Sequence, residues 1–183
     1  MHRRRLLSIG AVAVAAGAAI ALPAGLAGGS NSSDDDPFDA VRDATSRYRK
    51  VERAIDAGYA QFFGCVHEPL AGSMGIHFVN GELAGDGAID ATAPEALMYE
   101  VRSNGKLELI GVEYVVFKEA WDGANAEPPQ LFGQQFNTVT EPNRYGLPTF
   151  YELHAWVWKD NPVGVNEDWN PAVLCPGTEG HTH

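Results

Sequence analysis

The chain has 183 residues, with 13 Lys and Arg against 24 Asp and Glu, six His, two Cys and a formal net charge of −11. An acidic surface of this kind repels nucleic acid and anionic lipid, so no nucleic-acid partner is expected. The length suits one domain with a real core and is short for two.

The first 30 residues, MHRRRLLSIGAVAVAAGAAIALPAGLAGGS, place three arginines before an Ala- and Gly-rich apolar stretch that meets no charge until Asp34. That order is the signature of a secretory leader. Residues 1–27 are expected to be cleaved after Ala27. The Arg3-Arg4-Arg5-Leu6-Leu7 start resembles a twin-arginine leader, with Leu6 where Phe is usual and Ser8 where Lys is expected. No cysteine follows Leu26-Ala27 for a lipid anchor, so the product is expected to be exported to the periplasm or beyond, soluble and without a stable membrane span. Cleavage removes three arginines and no acid, leaving ten basic residues against 24 acidic ones and a formal −14.

Residues 28–36 are Gly, Ser, Asn and Asp, a solvated tether. Pro37 suits a first helical position with Asp36 as its cap. Phe38, Val41, Tyr48, Val51, Ile55 and Tyr59 then recur near a 3.6 period, with basic and acidic residues on the other side. The pattern predicts one amphipathic helix of five or six turns ending near Gly58. Its basic run, residues 47–53, reads as a solvated face.

Beyond Gly58, short β-rich runs alternate with Gly, Pro and Asn. Strands are expected over Gln61–Val66, Met74–Asn80, Ala96–Arg102, Leu107–Phe117 and Thr149–Trp158. Asn104-Gly105 reads as a two-residue hairpin turn, pairing Ser103 with Lys106 and Glu100 with Leu109, and Gly111 marks a bulge. Residues 118–148 form a long connection, read either as a functional cover or as a packed surface loop. The oxygen-rich stretch at Asp160, Asn161, Asn166, Glu167 and Asp168 lacks EF-hand spacing. These elements predict an α+β domain over residues 37–178, the long helix packed on a twisted, mainly antiparallel sheet or partial barrel, followed by a His-containing tail at 179–183.

In an oxidising compartment the two cysteines, Cys65 and Cys175, predict a disulfide, since neither lies in a CxxC motif. The more informative residues are ionisable groups inside apolar strands. His77 lies in MGIHFVN, with Gly75 and Val79 on its side of the strand. His154 shares a strand face with Phe150, Glu152, Trp156 and Trp158. His67 follows Cys65 with the same parity, and its spacing from His77 is compatible with adjacent antiparallel strands bringing the two rings close. Glu100 and Glu113 sit in equally apolar runs and fall on one hairpin face. A buried carboxylate or imidazole needs a partner.

Singly, each histidine can be a core residue satisfied by one hydrogen bond. Together, His67, His77 and His154 with Glu113 compose a His₃ or His₂-carboxylate metal site, and imidazole suits copper and zinc. His181 and His183 are only a weak chelating pair on a tail. A second reading is an apolar or aromatic ligand pocket lined by Trp156, Trp158 and Phe132 and oriented by Glu100 and Glu152. A third is a small hydrolase or isomerase using a histidine and Glu113 as acid and base. Ser73 has no nucleophile elbow around it, and Walker, GxGxxG, HExxH and zinc-knuckle patterns are missing.

The motifs MGIHFVN, PEALMYE, LIGVEYVVF, LHAWVWKDNPVG and DWNPAVLC, spread over residues 43–175, resemble a group of small exported bacterial proteins of uncharacterised function. The resemblance implies export and one domain, and it carries no activity. The expected function is an exported, non-enzymatic protein whose partner is a small ligand or a metal ion.

Overall fold

The computed structural model describes residues 36–177. The leader, most of the tether and the tail histidines expected from sequence lie outside the described residues.

The expected long helix does not form. Instead α1 (Asp39–Thr45) runs into a 3-10 turn (Ser46–Arg49), and after a break at Lys50 comes the short α2 (Val51–Asp56). The longest helical run is 11 residues. Lys50 is extended, with φ −102° and ψ 110°. Tertiary bonds explain the break. The Tyr99 hydroxyl donates to the Tyr48 carbonyl at 2.7 Å, taking an acceptor that a continuous helix would use. The Thr45 and Ser46 hydroxyls bond back to the Val41 and Asp43 carbonyls, which weakens the helix further. The break also resets the apolar stripe: Val41, Tyr48 and Ala54 are buried, whereas Ile55 is exposed.

The rest is a curled antiparallel sheet, a half-barrel. Its strands are β1 (Tyr59–Glu68), β2 (Gly72–Asn80), β3 (Ala96–Val101) and β4 (Leu107–Phe117), then β5 (Gln130–Leu131), β6 (Gln134–Gln135), β7 (Asn137–Val139) and β8 (Phe150–Ala155). The large sheet has the order β1-β2-β3-β4-β8-β7, and β5 pairs only with β6. Two further short helices, α3 (Gly81–Ala84) and α4 (Lys118–Asp122), follow β2 and β4. Asn80 caps α3, its side chain accepting from the Glu82 and Leu83 amides.

The β3–β4 turn differs from expectation by one residue. Arg102 and Lys106 close it, with Gly105 at φ 77°, so Glu100 faces Glu108 and Tyr99 faces Leu109. A three-residue turn with a left-handed glycine gives this register. A bulge between Met98 and Tyr99 then restores the count, leaving Met98 opposite Gly111 and Ala96 opposite Glu113. A one-residue slip would turn every later side chain of β4 over, so this bulge is what keeps Glu113 on the side of His77.

One face of the sheet carries Phe78, Leu97, Tyr99, Val112, Tyr114, Tyr151 and Leu153, all buried against Val41, Tyr48 and Ala54 of the helical segment. The opposite face holds a small second cluster, Met98, Ile110, Trp156 and Val173. It is closed by the C-terminal segment, where Asn170 exchanges backbone bonds with Ser73 at 3.1 and 3.2 Å. Gly72 permits that approach, since a Cβ there would stand 2.3 Å from the Asn170 carbonyl oxygen. The expected disulfide is present between Cys65 and Cys175, tying this segment to β1 across 110 residues. By chain entropy such a loop contributes about 4–5 kcal/mol. Among the described residues no helix is long and apolar enough to cross a membrane.

Candidate metal centre

Strand pairing builds the site. On β2 His77 stands opposite Met98 of β3, on β4 Glu113 stands opposite Ala96, and on β8 His154 stands opposite Glu113. All three side chains therefore leave the sheet on the face away from the helices. Ala96, between β2 and β4, is small enough for His77 and Glu113 to meet diagonally over β3. Their Nε2 and Oε2 atoms lie 3.4 Å apart. Donor atoms of His77, Glu113 and His154 all lie within 4.8 Å of one another, and the two imidazole rings are edge-to-face with centroids 5.9 Å apart. Two ligands on metal bonds near 2.1 Å at a tetrahedral angle are roughly 3.4 Å apart, so the His77–Glu113 spacing is that of a chelating pair.

Burial makes this cluster costly as it stands. His77, Glu113 and His154 are 6%, 8% and 0% exposed. Neither ring nitrogen of His154 has a hydrogen-bond partner. Asp168 Oδ1 approaches its Nδ1 at 3.4 Å, an electrostatic contact without hydrogen-bond geometry. Burial drives the His77 pKa down to about 3, with His154 adding to the effect, so His77 is a neutral donor at physiological pH. Burial alone would lower His154 too, but Glu113, Asp168 and Glu152 outweigh it and lift its pKa to about 9. Desolvation pushes Glu113 up to about 8, opposed by His154 and helped by Glu152, whose own carboxyl is raised chiefly by burial. The charge of a divalent ion would compensate the buried carboxylates, and binding it would require His154 to give up the proton that its acidic neighbours favour.

Glu152, His154 and Asp168 form a second close group that shares His154. Asp168 comes from the loop after β8, and that loop is fastened to the strand. Asn166 Nδ2 donates to the His154 carbonyl at 2.7 Å, Trp156 Nε1 to the Glu167 carbonyl at 2.6 Å, and Asn137 Nδ2 of β7 to Asp168 Oδ1 at 3.0 Å. Burial would raise the Asp168 pKa, yet His154 and Asn137 hold it below the ordinary value. A carboxylate facing one nitrogen of a ligand histidine fixes the ring and leaves the other for metal.

The remaining sequence candidates lie elsewhere. Bulges in β1 put His77 opposite Phe62 and His67 opposite Ser73, whose Oγ lies 3.3 Å from His67 Nδ1. His67 thus stays outside both close groups. Glu100 is held by Lys159, whose Nζ reaches both carboxylate oxygens at 2.8 Å, and by Arg102 at 3.2 Å. Trp156 stacks on His154 with centroids 6.3 Å apart and so borders the site. Trp158 and Phe132 pack on the helix-covered face: Trp158 Nε1 donates to Thr45 Oγ1 at 3.0 Å, and Phe132 meets Phe38 at 4.6 Å. The β8 alternation ends at Ala155, which is why Trp158 leaves the face of His154.

Asp168 and Asn137 were not among the predicted site residues. The acid-rich run around Asp168 was visible, but only the β8–loop return brings it to His154. Comparison of the chain with family models, with curated proteins and with solved structures returns no match, so its chemistry is argued from this geometry alone.

Proposed function

We propose that this is an exported protein that binds a divalent transition metal, zinc or copper, through His77, His154 and Glu113, with Asp168 orienting His154. One observation carries the reading: a fully buried imidazole, with no hydrogen bond to either ring nitrogen and only the electrostatic contact of Asp168 at Nδ1, stands beside a second histidine and a carboxylate at ligand spacing. In native proteins such unsatisfied buried groups are rare and costly, and a metal ion satisfies them together. The Cys65–Cys175 disulfide supports a working place in an oxidising compartment.

Metal analysis of tag-free exported protein, followed by calorimetry with Zn(II) and Cu(II), tests this. Near one equivalent is expected. His77→Ala and His154→Ala should each weaken binding at least about 100-fold, while His67→Ala and removal of residues 179–183 leave it unchanged. Equal affinity in wild type and both site variants would overturn the proposal.

A further inference from the structure

The face of the sheet away from the helices extends beyond the candidate metal centre. It continues into a pocket of about 460 Å³ whose walls include Phe62, Phe117, Tyr145 and Phe150. His77 and Glu113 belong to its lining, whereas His154 does not and is fully buried behind them. Of the other polar side chains at the wall, Gln61 turns its amide to the Phe63 carbonyl at 3.0 Å and Tyr145 directs its hydroxyl to Met74 Sδ at 3.9 Å. An ion held by His77, Glu113 and His154 would therefore have its protein donors on the inner side and its remaining position directed at aromatic walls. Three protein ligands with one open position is the usual arrangement of a zinc site that receives a further ligand. The long connection contributes here, because Tyr145 and Leu147 close one side of the pocket.

We infer that this open position takes the oxygen of a phenol, a neutral molecule of one or two aromatic rings whose body lies among the four aromatic side chains. This rests on the metal reading above. The volume lies in the range that encloses small organic ligands, and aromatic walls favour aromatic bodies through offset and edge-to-face contacts. Charge selects the head group. The ion offsets the buried carboxylates, so the selection comes from the strongly acidic chain as a whole, which disfavours the approach of a permanently anionic arene carboxylate. A phenol carries no permanent charge, and its neutral form approaches without this repulsion. Its O–H bond then breaks, the oxygen keeps the electron pair and bonds to the ion in place of water, and the proton leaves to solvent.

The test uses the full exported chain, metal-free and zinc-loaded, with 4-nitrophenol as an absorbing probe and nitrobenzene and 4-nitrobenzoate as controls. Zinc-loaded protein should bind 4-nitrophenol at least about 10-fold more tightly than metal-free protein does, and more tightly than either control. Ala60 lies at the wall and is exposed, so Ala60→Trp should block the mouth, keep zinc and weaken 4-nitrophenol at least about 10-fold. Leu147→Trp, in the connection, should do the same independently. Zinc uptake with no preference for 4-nitrophenol over nitrobenzene or 4-nitrobenzoate, or with unchanged probe binding in both Trp variants, would overturn this inference and leave the metal site standing. Failure to take up zinc or copper would overturn the metal reading, and the phenol position with it.

Discussion

The two faces of the half-barrel are made by the same strands and differ in how their polar atoms are treated. On the helix-covered face the buried phenols are partnered: Tyr59 donates to the Pro94 carbonyl at 2.7 Å, Tyr99 to Tyr48 at 2.7 Å and Tyr114 to Ala91 at 2.8 Å. On the opposite face neither ring nitrogen of His154 has a hydrogen bond, and two carboxyls are buried beside it. The first arrangement stabilises the fold. The second costs stability in the metal-free chain, and a selected fold tolerates such a cost where it serves binding.

The largest expected effect tests that division from the stable side. Tyr99→Ala removes a fully buried ring and its bond to Tyr48, so it should cost about 3–5 kcal/mol in a urea melt. Zinc affinity of the molecules that remain folded should be unchanged. A fall comparable to that of His154→Ala would show that the two faces are not separable.

The helix-covered side has one buried acid, Glu95, which precedes β3 and accepts from the Val115 amide at 2.9 Å. Burial lifts its pKa from 4.5 to about 7. The folded state thus holds the proton more tightly than the unfolded chain, so this group's contribution is fully present below about pH 4.5 and is lost as pH rises through 7. Glu95→Gln retains an acceptor and cannot ionise. Between pH 4.5 and 7 wild type should lose roughly 3 kcal/mol relative to this variant, measured by parallel denaturant melts. Parallel curves would mean that Glu95 is as well solvated as a surface acid.

These residues also show what the sequence made legible. Period-two alternation sorted the residues next to His77 and His154, because each strand has one apolar side that must be buried, but it failed at Trp158, beyond the end of β8. The disulfide followed from there being two cysteines. The long helix failed because its amphipathic period says nothing of Tyr99, 51 residues away, which takes the Tyr48 carbonyl. His67 failed to join His77 because bulges in β1 change the pairing without a sequence mark. Glu113 was placed on the right side because a longer turn and a bulge cancel. Asp168 needed a chain return that no local pattern encodes.

Asp168 therefore offers the finest test of the face that carries His154, and the smallest effect. In the metal-free protein its carboxylate, with Glu113 and Glu152, helps hold the His154 pKa at about 9. An incoming ion must displace that proton, so wild-type zinc affinity should rise with pH from 7 until it levels above about 9. The metal-free fold has the opposite dependence. A raised His154 pKa gives stability that is full below about pH 6.5 and fades through 9. Asp168→Asn removes one of the charges favouring the proton and also the carboxylate that orients the ring. The pH dependence of zinc binding should flatten between 7 and 9, while the plateau affinity falls about 10- to 100-fold, or roughly 1.4–2.7 kcal/mol. A role confined to holding the loop would instead lower thermal stability and leave the shape of the pH profile as in wild type. Calorimetric titrations of both proteins at pH 6, 7, 8 and 9.5 distinguish the two, and an unchanged plateau would remove Asp168 from the site.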